Sequence, residues 1–268
     1  MGFGPPPATL GGPRPAALRV PADYNPAQPW PLVVLLGGYD YFAADWDGWL
    51  GASAYVDELG FALLLPDGRV DSAGSPFWNA TDTCCDFDGS GVDDVGYLTA
   101  LLAEAKAAIH VDAGRVVLIG HSNGGFMAYR MACDAADQVT AVVSLAGSGW
   151  LDGARCQPSR PVSVLQAHGT LDDVMPYGGD GDAPGAEVMF ARWAARSGCS
   201  DGAPVQSATP LELVDDDQAG ETTEWAQTGC AQGTDVRLWR MAGADHYPEL
   251  RWDFTERVLG WALTHPRP

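Results

Sequence analysis

Short apolar runs bounded by glycine or proline alternate along this chain with stretches of helical periodicity. "PLVVLL" (31–36) lies between Pro31 and Gly37-Gly38 and has the length of a buried strand. "FALLLPDG" (61–68), "RVVLIG" (115–120), "QVTAVVSLAGS" (138–148) and "PVSVLQAHG" (161–169) read the same way. "AALRVPADY" (16–24) reads as an edge strand after a Pro/Gly-rich lead-in covering residues 1–15. Between the strands, "SAYVDELG" predicts a helix closed by Gly60, and "GAEVMFARWAARSG" one ended by Gly198. "VDDVGYLTALLAEAKAAIHV" (92–111) places Val95, Leu98, Leu102, Ala105 and Ile109 on one helical face. "SNGGFMAYRMAC" (122–133) and "WDFTERVLGWAL" (252–263) complete the helices. "LELVD", "TTEWAQ" and "DVRLWRMAG" are late strands, the first two joined by the acidic turn "DDQAG".

Strands alternating with helices predict an α/β fold with a mainly parallel central sheet and helices on both faces. No repeat, linker or change of composition divides residues 1–268, so a single domain is expected.

Composition narrows the function. Thirty-five acids against fifteen bases give a net charge of −20. That field repels nucleic acid and anionic membranes, so neither is expected as a partner, and a neutral or weakly polar substrate suits it. The charge also serves solubility alone. No run has the ~20 apolar residues of a membrane span. The N-terminus lacks the basic and apolar regions of a signal peptide, as the start of a mature secreted or periplasmic chain would. Six cysteines without zinc-ligand spacing fit disulfides in an oxidising compartment. The pairing expected is Cys133–Cys156, Cys199–Cys230 and the adjacent Cys84–Cys85, with buried free thiols the alternative.

The chemistry centres on "GHSNGGF" (120–126). Gly120-x-Ser122-x-Gly124 sits where a strand turns directly into a helix, the setting of a nucleophile elbow. A serine hydroxyl needs a base, and the base an orienting acid, in the chain order Ser, acid, His. Asp172 follows the strand "VSVLQAHG" and His246 follows the last strand, both at the sheet's carboxyl edge with Ser122. Asp173 and Asp245 are competitors for the acid. His168 is better suited to bracing the acid loop, and His110 and His265 lie away from the strand ends. The oxyanion donors expected are the N–H groups of Asn123 and of Tyr39, in the loop "LLGGYDY". Tyr39, Trp78 and His121 are the expected substrate contacts, with Trp46 and Trp49 weaker candidates. The long segment 67–92 is of functional length or crosslinked. "DFDGSGVDD" (86–94) partly matches a calcium loop but has Tyr97 at its twelfth position, so the choice is between a cation site and a solvated turn with Asp93 or Asp94 capping the next helix. No metal site and no cofactor are expected.

"LLGGY", "FWNATDTCCDF", "VDDVGYL", "GHSNGGFMAYRMAC", "HGTLDDVMPY" and the late Asp245-His246-Tyr247-Pro248 together resemble the polyhydroxybutyrate depolymerase and feruloyl esterase group of the α/β-hydrolase fold, from residue 31 on. The resemblance implies a Ser122, Asp172, His246 triad and hydrolysis of a carboxylic ester, hydroxycinnamoyl or polyester; a monomer is expected. Similar folds also hydrolyse synthetic polyesters. The chain differs in having Gly37-Gly38 where relatives usually carry His-Gly, and Tyr247 where many have tryptophan. A peptidase or thioesterase with the same triad, and a non-catalytic binding protein of this fold, are the competing functions.

Overall fold

The computed structural model describes residues 3–215 and 219–267. In chain order its strands are β1 (Thr9–Leu10), β2 (Ala16–Arg19), β3 (Trp30–Leu36), β4 (Ala62–Pro66), β5 (Arg69–Val70), β6 (Pro76–Phe77), β7 (Val111–His121), β8 (Ala141–Leu145), β9 (Ser163–Gly169), β10 (Val205–Gln206), β11 (Thr222–Ala226) and β12 (Val236–Met241). Its helices are α1 (Ala43–Leu50), α2 (Val56–Leu59), α3 (Asp94–Ala108), α4 (Asn123–Asp134), α5 (Ala186–Arg196) and α6 (Phe254–Leu263). Ten strands form one sheet in the order β1-β2-β4-β3-β7-β8-β9-β12-β11-β10, and β5 pairs only with β6. The six central strands, β4 to β12, run parallel; the two pairs at each margin are antiparallel. This is an α/β-hydrolase architecture.

The unbroken apolar strands are explained by burial on both faces. In β3, Leu32, Val34 and Leu36 join the core beneath α3, α4 and α5, while Val33 and Leu35 join the core beneath α1 and α6. Helix α4 is buried along nearly its whole length because it lies over the middle of the sheet. The Asp93 carboxylate accepts from Gly96 N and starts α3, whose Leu98, Leu101, Leu102 and Ala105 are buried. Val95 is half-buried, and Ile109 lies just past the last turn, in extended backbone.

Several expectations are corrected. The strand at 16–19 is not an edge, because β1 from the lead-in covers it and buries Leu10. Arg14 in the same lead-in donates to Asp67 O and to the buried Asp94, and its guanidinium lies over the Trp78 and Tyr97 rings. Residues 52–59 are a 3-10 turn followed by one α turn rather than a single helix, and α1 precedes them unforeseen. "LELVD" makes only isolated bridges, Leu211 to Thr222 and Val214 to Leu250. The reason is the buried Glu221 carboxylate, which takes the Leu213 and Val214 N–H groups that a ladder would need. Of the acidic turn expected after it, residues 216–218 lie outside the described residues.

The cysteines pair as expected: Cys133–Cys156, Cys199–Cys230 and Cys84–Cys85. The first ties the end of α4 to the segment before β9, and the second ties the chain after α5 to the loop before β12. Among the described residues no helix is long and apolar enough to cross a membrane.

Candidate active site

Strand β7 ends at His121 and α4 begins at Asn123, so Ser122 alone makes the turn. Its backbone is at φ 51°, ψ −122°, a region that L residues avoid at a cost of ~1–3 kcal/mol. The turn is held by Ser122 N donating to Leu145 O (2.8 Å) and by Phe126 N donating to Ser122 O (3.0 Å). The flanking glycines are steric necessities. A Cβ on Gly120 would run into the Gly124 carbonyl, and one on Gly124 into the Leu36 carbonyl. The β3 loop also crosses over the serine, since a Cβ on Gly38 would lie 3.3 Å from Ser122 Cβ.

Two further strand ends reach the same edge. The loop after β9 carries Asp172 and the loop after β12 carries His246; both side chains are almost fully buried. His246 Nδ1 donates to Asp172 Oδ2 at 2.8 Å. Asp172 Oδ1 accepts from Val174 N (3.0 Å) and Met175 N (2.7 Å), which fixes its rotamer. Burial opposes the charge on Asp172, but the bonds from His168, His246 and Met175 N outweigh it and hold the carboxyl well below the usual carboxylate range. With Nδ1 the donor, His246 Nε2 is bare, buried and unpartnered. No hydrogen bond joins it to Ser122 Oγ among the described residues; such bonds often close only with substrate in place.

The competitors have other work. Asp245 caps its own turn by accepting from Tyr247 N, and Asp173 is exposed. His110 and His265 bond Pro26 O and Trp261 O. His168 is 3.2 Å from Asp172 Oδ2 and braces the acid loop.

The N–H groups of Tyr39 and Asn123 meet no acceptor among the described residues, as oxyanion donors require. Asn123 is anchored by a reciprocal pair: Trp78 N donates to Asn123 Oδ1 (2.7 Å) and Asn123 Nδ2 donates to Trp78 O (2.9 Å). The Trp78 indole N–H reaches Gly37 O in the crossing loop (3.1 Å). Trp78 is 1% exposed, so it is a brace between two loops and not the substrate contact expected of it.

His121 is likewise 1% exposed and corrects the same expectation. Its Nε2 donates to His246 O (2.9 Å), and its ring packs between Trp46 and His246. Burial first, and then the neighbouring His246, push its pKa down to about 3, so it is neutral. Tyr39 remains half-buried; its hydroxyl donates to Asp71 (2.8 Å) and its ring meets Phe87 edge-on. Trp46 and Trp49 stack beneath the site, with Trp46 buried. Tyr41 was not singled out in the sequence, and Tyr247 only as standing where many relatives have tryptophan; they are 40% and 44% exposed, pair at 5.7 Å and stand beside His246.

In the segment 86–94, left open between a cation site and a solvated turn, the carboxylates accept hydrogen bonds from the chain and Asp93 caps α3. Asp86 spends both oxygens on Ser90 N and Gly91 N, and Asp88 spends both on Ser72. Among the described residues no three His, Cys, Asp or Glu side chains gather as a metal cage.

An α/β-hydrolase sheet carrying a serine at the strand–helix turn, with a His–Asp pair at the same edge, defines a class. The chain belongs to the putative esterase family, whose model matches residues 8–243. It is 27% identical over 260 residues to feruloyl esterase B of Piromyces equi, covering 91% of this chain and 45% of that protein. It is 24% identical over 255 residues to the bifunctional acetylxylan esterase/xylanase XynS20E of Neocallimastix patriciarum, covering 93% and 34%. The chain thus spans less than half the length of these curated relatives. An acetyl xylan esterase structure from Aspergillus awamori superposes with a TM-score of 0.68 over 95% of this chain and 97% of that one, at 13% identity, which is a likeness of fold.

Proposed function

We propose that this chain is a serine carboxylic-ester hydrolase working through an acyl-enzyme. The observation that carries the reading is the His246 Nδ1–Asp172 Oδ2 bond of 2.8 Å, which leaves Nε2 bare at the sheet edge where Ser122 makes its strained turn. Ser122 Oγ attacks the ester carbonyl as His246 Nε2 takes its proton. The carbonyl oxygen becomes an oxyanion held by the N–H groups of Tyr39 and Asn123. His246 returns the proton to the leaving alcohol, and the C–O bond breaks. Water then repeats the sequence on the acyl-serine, His246 again serving as base and acid. Asp172 orients the imidazole and stabilises its cation.

The substrate class proposed is a neutral ester with an aromatic or bulky group. It is supported by the names of the relatives, feruloyl and acetylxylan esterases, and by the exposed Tyr41–Tyr247 pair beside the base. Polyesters of the hydroxyalkanoate or aromatic type are within the same proposal. Residues 1–268 are taken as one domain, monomeric and extracytoplasmic, and the three disulfides support the last of these.

The test is acid release from a panel of p-nitrophenyl esters, methyl ferulate, acetylated xylan, hydroxybutyrate oligomers and an aromatic polyester film, with Ser122→Ala alongside. Turnover of one class by wild type and none by the variant supports the reading. No turnover, or equal turnover by both proteins, overturns it.

A further inference from the structure

Two histidines share one oxygen of Asp172, and catalysis can use only one of them. Oδ2 lies 2.8 Å from His246 Nδ1 and 3.2 Å from His168 Nε2. If His168 took up a proton, its cation would satisfy the carboxylate, and the field that favours a proton on His246 would be lost. The structure contains a device against this. His168 Nε2 also lies 2.7 Å from Met175 O. A carbonyl and a carboxylate can only accept, so Nε2 carries hydrogen. The other ring nitrogen, Nδ1, is 3.0 Å from Gln166 Nε2. That amide nitrogen also donates to Gly147 O (3.0 Å), while Gln166 Oε1 accepts from the Tyr129 hydroxyl (2.5 Å). Flipping the amide would set acceptor against acceptor at Gly147 O, whereas the Tyr129 hydroxyl can donate or accept, so Gly147 O fixes which way the amide faces. Its second N–H points at His168 Nδ1, which must be bare. Tyr129, Gln166 and His168 are all buried, where the low dielectric strengthens each of these bonds.

We infer that Gln166, its amide fixed by Gly147 O, keeps His168 neutral with its hydrogen on Nε2, making His168 a positioning residue whose N–H edge lies against Asp172 while the catalytic proton is reserved for His246. This rests on the ester-hydrolase reading above. The groups facing the cluster from other elements are His121 and Tyr247 against His246, Tyr177 edge-on to His168, Glu187 bonded to Tyr177, and Arg240 over the Tyr177 ring. The variants below leave all of them in place.

Gln166→Glu is the discriminating change, because it keeps the shape and replaces the donor facing Nδ1 with an acceptor. His168 then gains a hydrogen on Nδ1 and becomes a cation beside Asp172. The expected result is a kcat for a small p-nitrophenyl ester lowered roughly 10- to 100-fold with KM little changed, and an acid limb of the kcat/KM profile moved to lower pH. Adding His168→Gln, which retains a neutral N–H donor but cannot be protonated, returns the limb to its wild-type position. His168→Leu, which tests the same point without a buried Glu, moves the limb the other way, because Asp172 then gives its whole charge to His246. An unmoved limb in a folded Gln166→Glu protein, or in His168→Leu, overturns the inference while leaving the ester-hydrolase reading intact. Absence of Ser122-dependent turnover in wild type removes that reading itself.

Discussion

Acidifying this protein from about pH 8 to about pH 5 should cost it about 2 kcal/mol through one side chain, His121. In the unfolded chain the imidazole takes up a proton near pH 6.5. In the fold it refuses one until about pH 3, because it is buried and lies beside His246; the Nε2–H bond to the His246 carbonyl works the other way and is outweighed. Between those values the unfolded state binds the extra proton, so stability is complete above the unfolded pKa and falls as pH drops. The slope is at most ~1.4 kcal/mol per pH unit, which gives about 2 kcal/mol at about pH 5. For a chain of this size that is a melting shift of roughly 4–8 °C. The assay is a set of thermal and urea melts across this range on wild type and His121→Gln, which keeps a donor for the His246 carbonyl and has nothing to titrate. Other groups contribute equally to both proteins and cancel in the comparison. Asp172 and the other depressed carboxylates lose their contributions only below about pH 4, outside the window. Equal pH slopes for the two proteins would refute the reasoning.

Three further outcomes are expected. Asp172→Asn lowers kcat about 10³- to 10⁴-fold in steady-state assays, because the amide disfavours the His246 tautomer that leaves Nε2 bare, and it lowers the melting temperature at neutral pH, because a buried carboxylate that accepts from Met175 N and His246 is lost. Gly124→Ala yields a protein destabilised by several kcal/mol or insoluble, since its methyl group meets the Leu36 carbonyl; expression yield and melting temperature report this. Cys133→Ser with Cys156→Ser removes a crosslink over 23 residues and costs about 3 kcal/mol in urea melts, with no change in KM.

The strands most apolar on both faces, β3, β4, β7, β8 and β9, were legible in the sequence because burial between two helical layers leaves no alternative reading. The triad candidates were legible for a related reason: they follow strands whose ends must share one edge. What the sequence concealed depends on contacts between distant segments. Trp78 looks like a ligand platform until its indole is seen on Gly37 O, and the segment before β11 looks like a strand until Glu221 is seen taking its amides. Gln166 did give a signal, a polar residue in the middle of the apolar run "VSVLQAHG". Nothing local could say that the amide lies between a tyrosine and a histidine.

The Arg14 contacts of the lead-in carry a practical consequence for anyone trimming or fusing this protein. Arg14 rests on Trp78, Trp78 holds Asn123, and Asn123 bears one of the two N–H groups assigned to the oxyanion. A tail that reads as a disposable proline-glycine leader is thus two contacts away from the reaction. Truncation to residue 16 would look harmless in a sequence-guided screen, yet it removes β1 together with the cation that seats the indole. Affinity tags and fusion partners belong upstream of residue 8, and shortened libraries should be scored for turnover as well as for soluble yield.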